Sequence, residues 1–383
     1  MGDDVPDLFP LIGGAEGCVR LATLFYAEVE RDPVLRPLFG KKFNEPVKKL
    51  AAYLTQLAGG PPEHSRTRWL LSLREAHRRF AIGPAHRDAW LAAMGRALDK
   101  AALPEPARGA LLAFFGRSAP TLVDQGGGRG PADPLPEPFP SPVHRHLAAR
   151  WTEELAVEDV VAAVRRGDAG RALALVEGPE LRTLFDRDRS ALASLLVLMM
   201  ASGNAALLDH VVRRPRDDPD LVRTTYFSGR TLLHGAAAAG CLPALELLLD
   251  LGAAVDAADR SGRTPLFCVA NECRAANASA VAEALLRRGA AVDARDRVNR
   301  CTPLHAAARR GFVAVAAALL DGGADLEARD VAGDTPLRRA VNCGQVEIAT
   351  FLRARGADAG SHGARGLTPL LAARTDAMRR ALV

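Results

Sequence analysis

The sequence lacks the features that mark membrane-spanning and disulfide-bonded proteins. Its longest apolar run, around Leu192–Ala201, is too short to cross a bilayer, and the acidic start Met1–Asp4 lacks the apolar core of a signal peptide. The six cysteines include no CxxC pair, which argues against a zinc or disulfide framework and favours buried, reduced thiols. These absences predict a cytoplasmic protein with no membrane partner.

Lysine is scarce, and charge of one sign is nowhere concentrated. Only five of the 50 basic residues are lysines, and the net charge of +5 divides into +3 for residues 1–124 (17 basic, 14 acidic) and +2 for the remainder. Nucleic-acid binding needs a concentrated basic surface, so we expect no nucleic-acid partner. With 383 residues, 48% of them hydrophobic, the chain can form two or three packed domains.

A glycine- and proline-rich stretch divides the chain. Residues 125–142 read QGGGRGPADPLPEPFPSP, with six prolines in the last twelve positions, which neither helix nor sheet can absorb. We expect a linker with a flexible glycine portion and an extended proline portion. The predicted domains are therefore residues 1–124 and 143–383, able to move independently.

The C-terminal domain repeats itself. Its TPL-like motif begins, at spacings of 33, 38, 33 and 33 residues, at Thr231, Thr264, Thr302, Thr335 and Thr368. A second motif, GAxVD or a variant of it, keeps the same period about 21 residues later. The pattern predicts helix pairs in which threonine caps one helix, proline occupies its first turn and glycine ends the next helix. The spacing of 38 predicts a longer loop near Glu272–Ser279.

This region resembles the ankyrin repeat, whose TPLHxAA signature stands most fully at Thr302–Ala308. Two upstream helix pairs, Val157–Arg189 and Ser190–Gly229, lack the signature and are interpreted as degenerate leading repeats, giving about seven units. Each unit of such a solenoid buries its faces only against its neighbours. The resemblance implies an unknown protein partner on an extended concave surface.

Arginines on that surface indicate the charge of the partner. The expected concave helix positions carry Arg309, Arg310, Arg338, Arg339 and Asn342, and the loop tips carry Arg260, Arg263, Asp296, Arg297, Asp330 and Asp334. We predict an acidic protein surface as the partner. The alternative is a solvated face of mixed sign.

Residues 1–124 show the 3.6-residue apolar spacing of helices and no strand-like alternation. Their motifs occur in the order Gly13-Gly14, Phe25-Tyr26, Asp32–Phe39, Gly59–Pro61, Leu73–Phe80 and Arg87–Leu91. In this order residues 8–122 resemble a group II truncated haemoglobin, a two-over-two helical haem domain. The expected fold class is all-α: a truncated globin joined by the linker to an ankyrin-repeat solenoid.

The resemblance implies haem b, with His77 as the iron ligand. Leu73 lies four residues before His77 and Phe80 three after it, so an apolar helix face surrounds the imidazole and would contact the haem. His64 and His86 are the alternative ligands, and both lie in loop-like contexts.

Across the iron, bound dioxygen is stabilised by hydrogen-bond donors in a dry pocket. The resemblance implies Tyr26 and Trp90 as these donors, with core packing as the alternative for both. Phe39 corresponds to the ring that packs on the porphyrin, where many group II members carry a tyrosine. A third distal hydroxyl is therefore missing.

Further haem contacts are expected from two helices. Leu50 and Leu54, four residues apart, would form an apolar wall, while Lys49 would reach a haem propionate or simply lie in solvent. Arg74 and Arg78 flank His77 and are further propionate candidates.

Three functions fit these residues, and we favour the first. It is a haem protein that binds oxygen, nitric oxide or carbon monoxide, is tethered to a protein-interaction scaffold and acts in gas or redox sensing. The second is a haem enzyme, a nitric oxide dioxygenase or peroxidase, which would need an external reductase because no GxGxxG follows a strand. The third is an interaction protein that has lost haem, against which His77, Tyr26 and Trp90 argue.

Overall fold

The computed structural model of the chain describes residues 8–40, 42–61, 82–105, 107–119, 142–363, 366 and 368–383. These residues form two compact units, Met1–Ala191 and Leu192–Val383, and are mostly helical with almost no sheet, which confirms the predicted all-α class. The helices of the first unit are α1 (Leu8–Ile12), α2 (Gly14–Arg31), α3 (Asn44–Leu57), α4 (Pro84–Ala101), α5 (Ala107–Ser118), α6 (Pro142–Arg166), α7 (Ala169–Val176) and α8 (Pro179–Arg187).

Helix α2 is the central element of the first unit. Its start is set by Gly13, whose φ of 93° is a left-handed conformation that suits glycine. Its end is set by Asp32, whose Oδ1 accepts hydrogen bonds from the N–H groups of Val34 and Leu35 at 2.9 and 3.0 Å. Apolar residues buried at three- and four-residue spacing give it one core-facing side, namely Cys18, Leu21, Ala22, Phe25 and Val29.

The core of the first unit lies where α2 packs against α3 and α4, with α5 beside them. Leu54 of α3, Met94 and Leu98 of α4 and Leu111 of α5 are fully buried in it. The 3₁₀ turn Arg36–Leu38 joins α2 to the segment that enters α3. The side chains of the candidate site project from these elements.

Helix α6 begins at the end of the predicted linker and packs on the same core. Leu147 and Trp151 are buried in it, and the Trp151 ring meets that of Phe114 edge-on with centroids 5.8 Å apart. His146 Nε2 lies 3.1 Å from the carbonyl oxygen of Leu57, the last residue of α3. The expectation that the chain after the linker moves independently is therefore corrected for α6. The boundaries 1–124, 125–142 and 143–383 stay a prediction.

The second unit is a series of short helix pairs. After α9 (Arg189–Ser202) and α10 (Ala205–Asp217) comes a short hairpin of two strands of two residues each, β1 (Thr225–Tyr226) paired antiparallel with β2 (Arg230–Thr231). The remaining helices follow it. These are α11 (Leu232–Ala239), α12 (Leu242–Asp250), α13 (Pro265–Glu272), α14 (Ala278–Arg287), α15 (Pro303–Arg310), α16 (Val313–Asp321), α17 (Pro336–Asn342), α18 (Val346–Ala354), α19 (Pro369–Ala372) and α20 (Asp376–Leu382). Like helices of successive pairs pack together, α11 on α13, α13 on α15 and α15 on α17.

The TPL and GAxVD motifs act locally as predicted. The hydroxyls of Thr264, Thr302, Thr335 and Thr368 accept hydrogen bonds from backbone N–H groups three residues later, at 3.3 to 3.4 Å. The glycines that open the second motif, Gly252, Gly289, Gly323 and Gly356, have φ between 83° and 96° and end the second helices in the left-handed region. The predicted longer loop is present, since α13 ends at Glu272 and α14 begins at Ala278.

Hydrogen bonds join the loop tips of neighbouring repeats in sequence. Arg260 N–H donates to Ser228 O at 2.9 Å, Arg297 N–H to Ser261 O at 2.7 Å, and Val331 N–H to Asn299 O at 2.8 Å. This ladder fixes the order of the tips along the stack.

Two sequence expectations concern exposure. No helix among the described residues is long and apolar enough to span a membrane. Four of the six cysteines are buried as predicted, but Cys301 is partly exposed and Cys343 is exposed. Cys343 follows the last residue of α17 at the start of a solvent-facing turn, so its apolar sequence neighbours did not place it in the core.

Candidate functional site

An aromatic cluster occupies one side of the amino-terminal core. Tyr26 of α2 contacts Phe25 with ring centroids 5.1 Å apart, Phe39 at 5.5 Å and Phe43 at 5.6 Å. Phe39 and Phe43 contact each other at 6.0 Å. Tyr26 therefore lies at the centre of rings contributed by α2 and by the corner before α3.

Trp90 of α4 joins this cluster from the other side. Its ring lies 5.2 Å from that of Phe25 and 5.2 Å from that of Phe115 in α5. Phe25 is fully buried and touches both Tyr26 and Trp90, which are half-buried. The two donor side chains expected from the sequence are thus brought together against one shared ring.

Arg36 holds the corner between α2 and α3. One guanidinium nitrogen, Nη1, donates to the carbonyl oxygens of Phe39 at 3.0 Å and Gly40 at 3.2 Å. The guanidinium carbon also lies 5.0 Å from the centre of the Phe43 ring, within cation–π range. This one side chain thus holds the corner backbone at Phe39 and Gly40 and contacts the Phe43 ring.

The expected site residues of helix α3 differ in their solvent exposure. Leu54 is fully buried in the core, Leu50 is half-buried on the same side, and Lys49 is exposed. A four-residue step returns to the same helix face, whereas a one-residue step turns by about 100°. The apolar wall and the outward lysine are therefore compatible with the roles predicted for them.

His86 serves as a helix cap. Its Nδ1 accepts a hydrogen bond from the N–H of Gly83 at 3.2 Å, at the start of α4. A neutral imidazole that accepts at Nδ1 carries its proton on Nε2 and has no lone pair there for a metal. This geometry disfavours His86 as an iron ligand. His77, Arg74, Arg78, Phe80 and His64 lie outside the described residues.

Across the back of the cluster, α2 and α4 are joined by charge. The nearly buried carboxylate of Glu28 accepts from Lys100 and, at 2.5 Å, from Arg96 Nε, and Arg31 lies 3.6 Å away. Hydrogen bonds from Lys100 and Arg96 lower the pKa of Glu28 to about 2. The carboxylate is thus ionised at neutral pH and ties the helix that carries Tyr26 to the helix that carries Trp90.

The residues present fit a flat, largely apolar group with a polar function at its centre. Tyr26, Phe39, Phe43 and Trp90 pack against the core yet stay half-buried, so their rings offer an aromatic surface to a further partner. Tyrosine and tryptophan add a hydroxyl and an indole N–H to that surface. The sequence prediction omitted Phe25, Phe43 and Arg36, whose part depends on contacts between elements that no motif spacing shows.

The concave surface of the repeats differs from the arginine-rich surface expected from the sequence. Arg338 is 6% exposed, and its Nη1 donates to Thr368 O at 2.5 Å. Arg339 is ion-paired through Nε with the buried Asp330 carboxylate at 2.6 Å, and Arg309 donates to Asn271 Oδ1 at 2.5 Å. Of the four arginines expected to face a partner, Arg338 is therefore excluded and Arg339 is already neutralised.

Two histidines of the TPL motifs are structural. His305 accepts at Nδ1 from Thr302 N–H at 3.2 Å and donates through Nε2 to Asp334 O at 3.0 Å, across to the next repeat. His234 makes the same bonds to Thr231 N–H and Arg263 O, at 3.1 and 3.0 Å. Burial lowers the pKa of both, that of His234 to about 4. The neutral rings act as bridges between repeats.

Comparison with known proteins agrees with this division of the chain. The family model for bacterial-like globins matches residues 7–122, and that for ankyrin repeats (three copies) matches residues 196–296 and 272–363. The group 2 truncated hemoglobin YjbI of Bacillus subtilis (strain 168) is 33% identical over 112 residues, which are 29% of this chain and 85% of that relative.

The chain belongs to the truncated globins through this amino-terminal domain and carries ankyrin repeats in its C-terminal half. The globin domain suggests haem and gas binding, and the repeats suggest binding to a protein.

Proposed function

We propose that the protein binds haem b in its globin domain, takes up a diatomic gas there and engages a protein through its ankyrin repeats. The observation that supports this most directly is the half-buried cluster of Tyr26, Phe39, Phe43 and Trp90 around Phe25. Such a surface suits a porphyrin face better than water, because aromatic rings left half-exposed gain by covering apolar area.

Each expected site residue has a distinct task in this proposal. His77 would ligate the iron, while Phe39, Leu50, Leu54 and Phe80 would pack on the porphyrin. Lys49, Arg74 and Arg78 would pair with its propionates. When bound, haem supplies an iron atom that takes oxygen, nitric oxide or carbon monoxide.

Tyr26 and Trp90 would hold the gas by hydrogen bonds. Their shared contact with Phe25, together with the corner that Arg36 fixes, restricts the two rings, so the donors lose little rotamer freedom on binding. The surrounding apolar residues keep water out and strengthen each hydrogen bond.

An absorption spectrum of the purified chain in ferric, ferrous and ferrous–oxygen states tests haem binding. We expect a Soret band, and in His77→Gly a loss of the five-coordinate ferrous spectrum that added imidazole restores. His86→Gln is the matched control and should keep the wild-type spectrum. Absence of a Soret band after haem is supplied would leave a pure interaction protein.

We further propose a gas-sensing role in which α6 carries the state of the pocket. Aromatic contacts run without a gap from Tyr26 through Phe25, Trp90, Phe115 and Phe114 to Trp151 of α6, with centroid distances of 5.1 to 5.8 Å. His146 adds a second link, to the C-terminal end of the helix that bears Leu50 and Leu54. A shift in the pocket rings would therefore change the packing of α6.

Hydrogen exchange of the full chain tests this role. Carbon monoxide binding to the ferrous protein should change the exchange rates of the backbone amides of α6, and Trp151→Leu should reduce that change. The helices α19 and α20 provide an internal reference. Equal α6 exchange with and without carbon monoxide would contradict sensing through this helix while leaving gas binding intact.

The cysteines indicate where in the cell the protein acts. The six cysteines form no disulfide, a state typical of a reducing compartment. We propose a cytoplasmic location on that basis.

A further inference from the structure

The repeat that begins at Thr264 departs from its neighbours at one side chain. Three of the other repeats carry His234, His305 and Arg338 at this position, each donating to a backbone carbonyl of the following repeat, whereas this one carries Phe267. Phenylalanine has no donor, so this repeat lacks the bridge. The same repeat contains the five-residue loop between α13 and α14, which makes it irregular in two respects.

A pocket of about 230 Å³ opens beside Phe267. Asn271 of α13 and Ala306, Arg309 and Arg339 of the next two first helices line it, and Val298 lies at its loop-tip side. Phe267 and Asn271 both lie on α13. The irregular repeat therefore supplies an apolar wall and a polar wall of the pocket.

Most charged groups around this pocket already have partners. Arg263 pairs with Asp259 at 2.7 Å and Glu272 at 3.7 Å, and Arg339 pairs with Asp330. The lining carboxylate of Asp296 accepts two backbone N–H groups of its own loop, at 3.0 and 2.9 Å. These groups are held by the fold and are not available to a ligand without loss.

Arg309 differs from the others. Its Nη2 donates to the neutral amide oxygen of Asn271, and it forms no ion pair with any carboxylate in the part of the chain that the structure describes. The side chain is exposed at the C-terminal end of α15. It is thus a cation at the pocket whose charge a ligand carboxylate could match.

Two exposed valines lie on the loop tips beside this pocket, Val298 in its lining and Val331 on the next tip. Val298 is 66% and Val331 is 64% exposed, on adjacent loop tips that the Val331 N–H to Asn299 O hydrogen bond joins. Covering both side chains with apolar groups of a partner would be favourable by about 25 cal/mol per Å² of apolar surface removed from water. Because the tips belong to successive repeats, the apolar surface extends along the stack and is not enclosed within a single repeat.

We propose that the surface formed by the pocket at Arg309 and the loop tips of Val298 and Val331 binds an extended peptide segment of a partner protein. The segment combines an aspartate or glutamate with aliphatic side chains. The carboxylate pairs with Arg309 at the pocket, and the aliphatic groups cover Val298 and Val331. The elongated arrangement over two repeats fits a chain rather than a compact metabolite. The inference rests on the proposed protein-binding function and specifies its partner.

Selection of a random twelve-residue peptide library against the full chain tests the proposal. Enriched peptides should combine acidic and aliphatic residues, and Arg309→Glu should weaken their binding about tenfold or more, a change of about 1.4 kcal/mol. Arg310→Glu is the matched control: it is the next residue, also exposed, and it alters the net charge equally without lining the pocket.

A second pair of variants tests the apolar contact. Val298→Ser, which removes apolar surface without adding charge, should weaken the same peptides about tenfold, whereas Leu371→Ser, which alters another exposed apolar residue, should not. Hydrogen-exchange protection of α13 to α18 confirms that each variant is folded.

The outcomes separate this inference from the proposed function. Enriched peptides that lack acidic residues, or that bind wild type and Arg309→Glu equally, overturn the inference but leave a protein-binding repeat domain. No enrichment over an empty support contradicts both.

Discussion

Tyr26 and Trp90 are brought together by Phe25. Phe25 is next to Tyr26 in the sequence but far from Trp90. Phe25 precedes Tyr26 on α2 but meets Trp90 only because α2 packs on α4. The sequence identifies the two donors by motif, while packing determines that one buried ring orients both.

This arrangement predicts the behaviour of single-ring variants. Tyr26→Phe and Trp90→Leu should each raise the oxygen dissociation rate about fivefold or more, since each removes a hydrogen bond worth about 1 kcal/mol. Flash photolysis or stopped-flow mixing of the ferrous–oxygen protein measures the rate. Tyr53→Phe, which removes a phenol of α3, is the control and should leave it unchanged. Unchanged rates in both test variants would mean that the rings only pack.

At the scale of elements, the ion pairs of Glu28 with Arg96 and Lys100 add to the apolar packing of α2 on α4. The pKa of Glu28 is lowered from 4.5 to about 2 in the folded state, so its carboxylate stabilises the fold fully above pH 4.5 and loses that contribution as the pH falls towards 2. Glu28→Gln should lower the denaturation midpoint at pH 7 and flatten its decline in acid.

Tryptophan fluorescence measures this effect selectively, because all three tryptophans, Trp69, Trp90 and Trp151, precede residue 192. The matched control is Glu45→Gln, since Glu45 is exposed and lies 3.5 Å from Lys48 alone among described cations. Equal acid dependence in wild type and Glu28→Gln would assign the acid sensitivity to other carboxylates.

Helix α6 gives a second prediction at the scale of elements. Because Trp151 is buried against Phe114 in the amino-terminal core, Trp151→Ala should lower the free energy of unfolding of the first unit by about 3–5 kcal/mol. Urea denaturation followed by fluorescence of the remaining tryptophans measures it. Arg166→Ala, an exposed position on the same helix, should cost little. A loss below about 1 kcal/mol would show that α6 is not part of this core.

Across the whole molecule, the two halves respond to acid in different pH windows. The bridging histidines are neutral when folded, with the pKa of His234 lowered from 6.5 to about 4. The unfolded chain therefore binds protons more readily between pH 6.5 and 4, and the repeats should lose stability over that window. Glu28 acts only below pH 4.5.

Hydrogen exchange of the repeats, corrected for its intrinsic pH dependence, tests this difference. Protection of α11 and α15 should fall between pH 7 and 4, while α17, bridged by Arg338, should change less. His234→Gln with His305→Gln should abolish the difference. Equal acid sensitivity of all three helices would contradict the histidine bridges as its cause.

Features that depend on a few consecutive residues could be predicted from the sequence. The helix pairs, the threonine caps, the left-handed glycines and the longer loop after Glu272 follow from spacing and local backbone preference. The globin and ankyrin families follow from motif order. The roles of His77, Tyr26 and Trp90 stay predictions that rest on that resemblance.

The tertiary structure alone decided which distant groups meet. It placed Trp151 in the amino-terminal core, turned His86 into a helix cap, buried Arg338 and left Arg309 without a carboxylate partner among the described residues. Composition gives each arginine the same charge, and only packing determines which of them is neutralised. The physical reason is that helix formation is set within about four residues, whereas burial and ion pairing depend on surfaces that come together only after the helices pack.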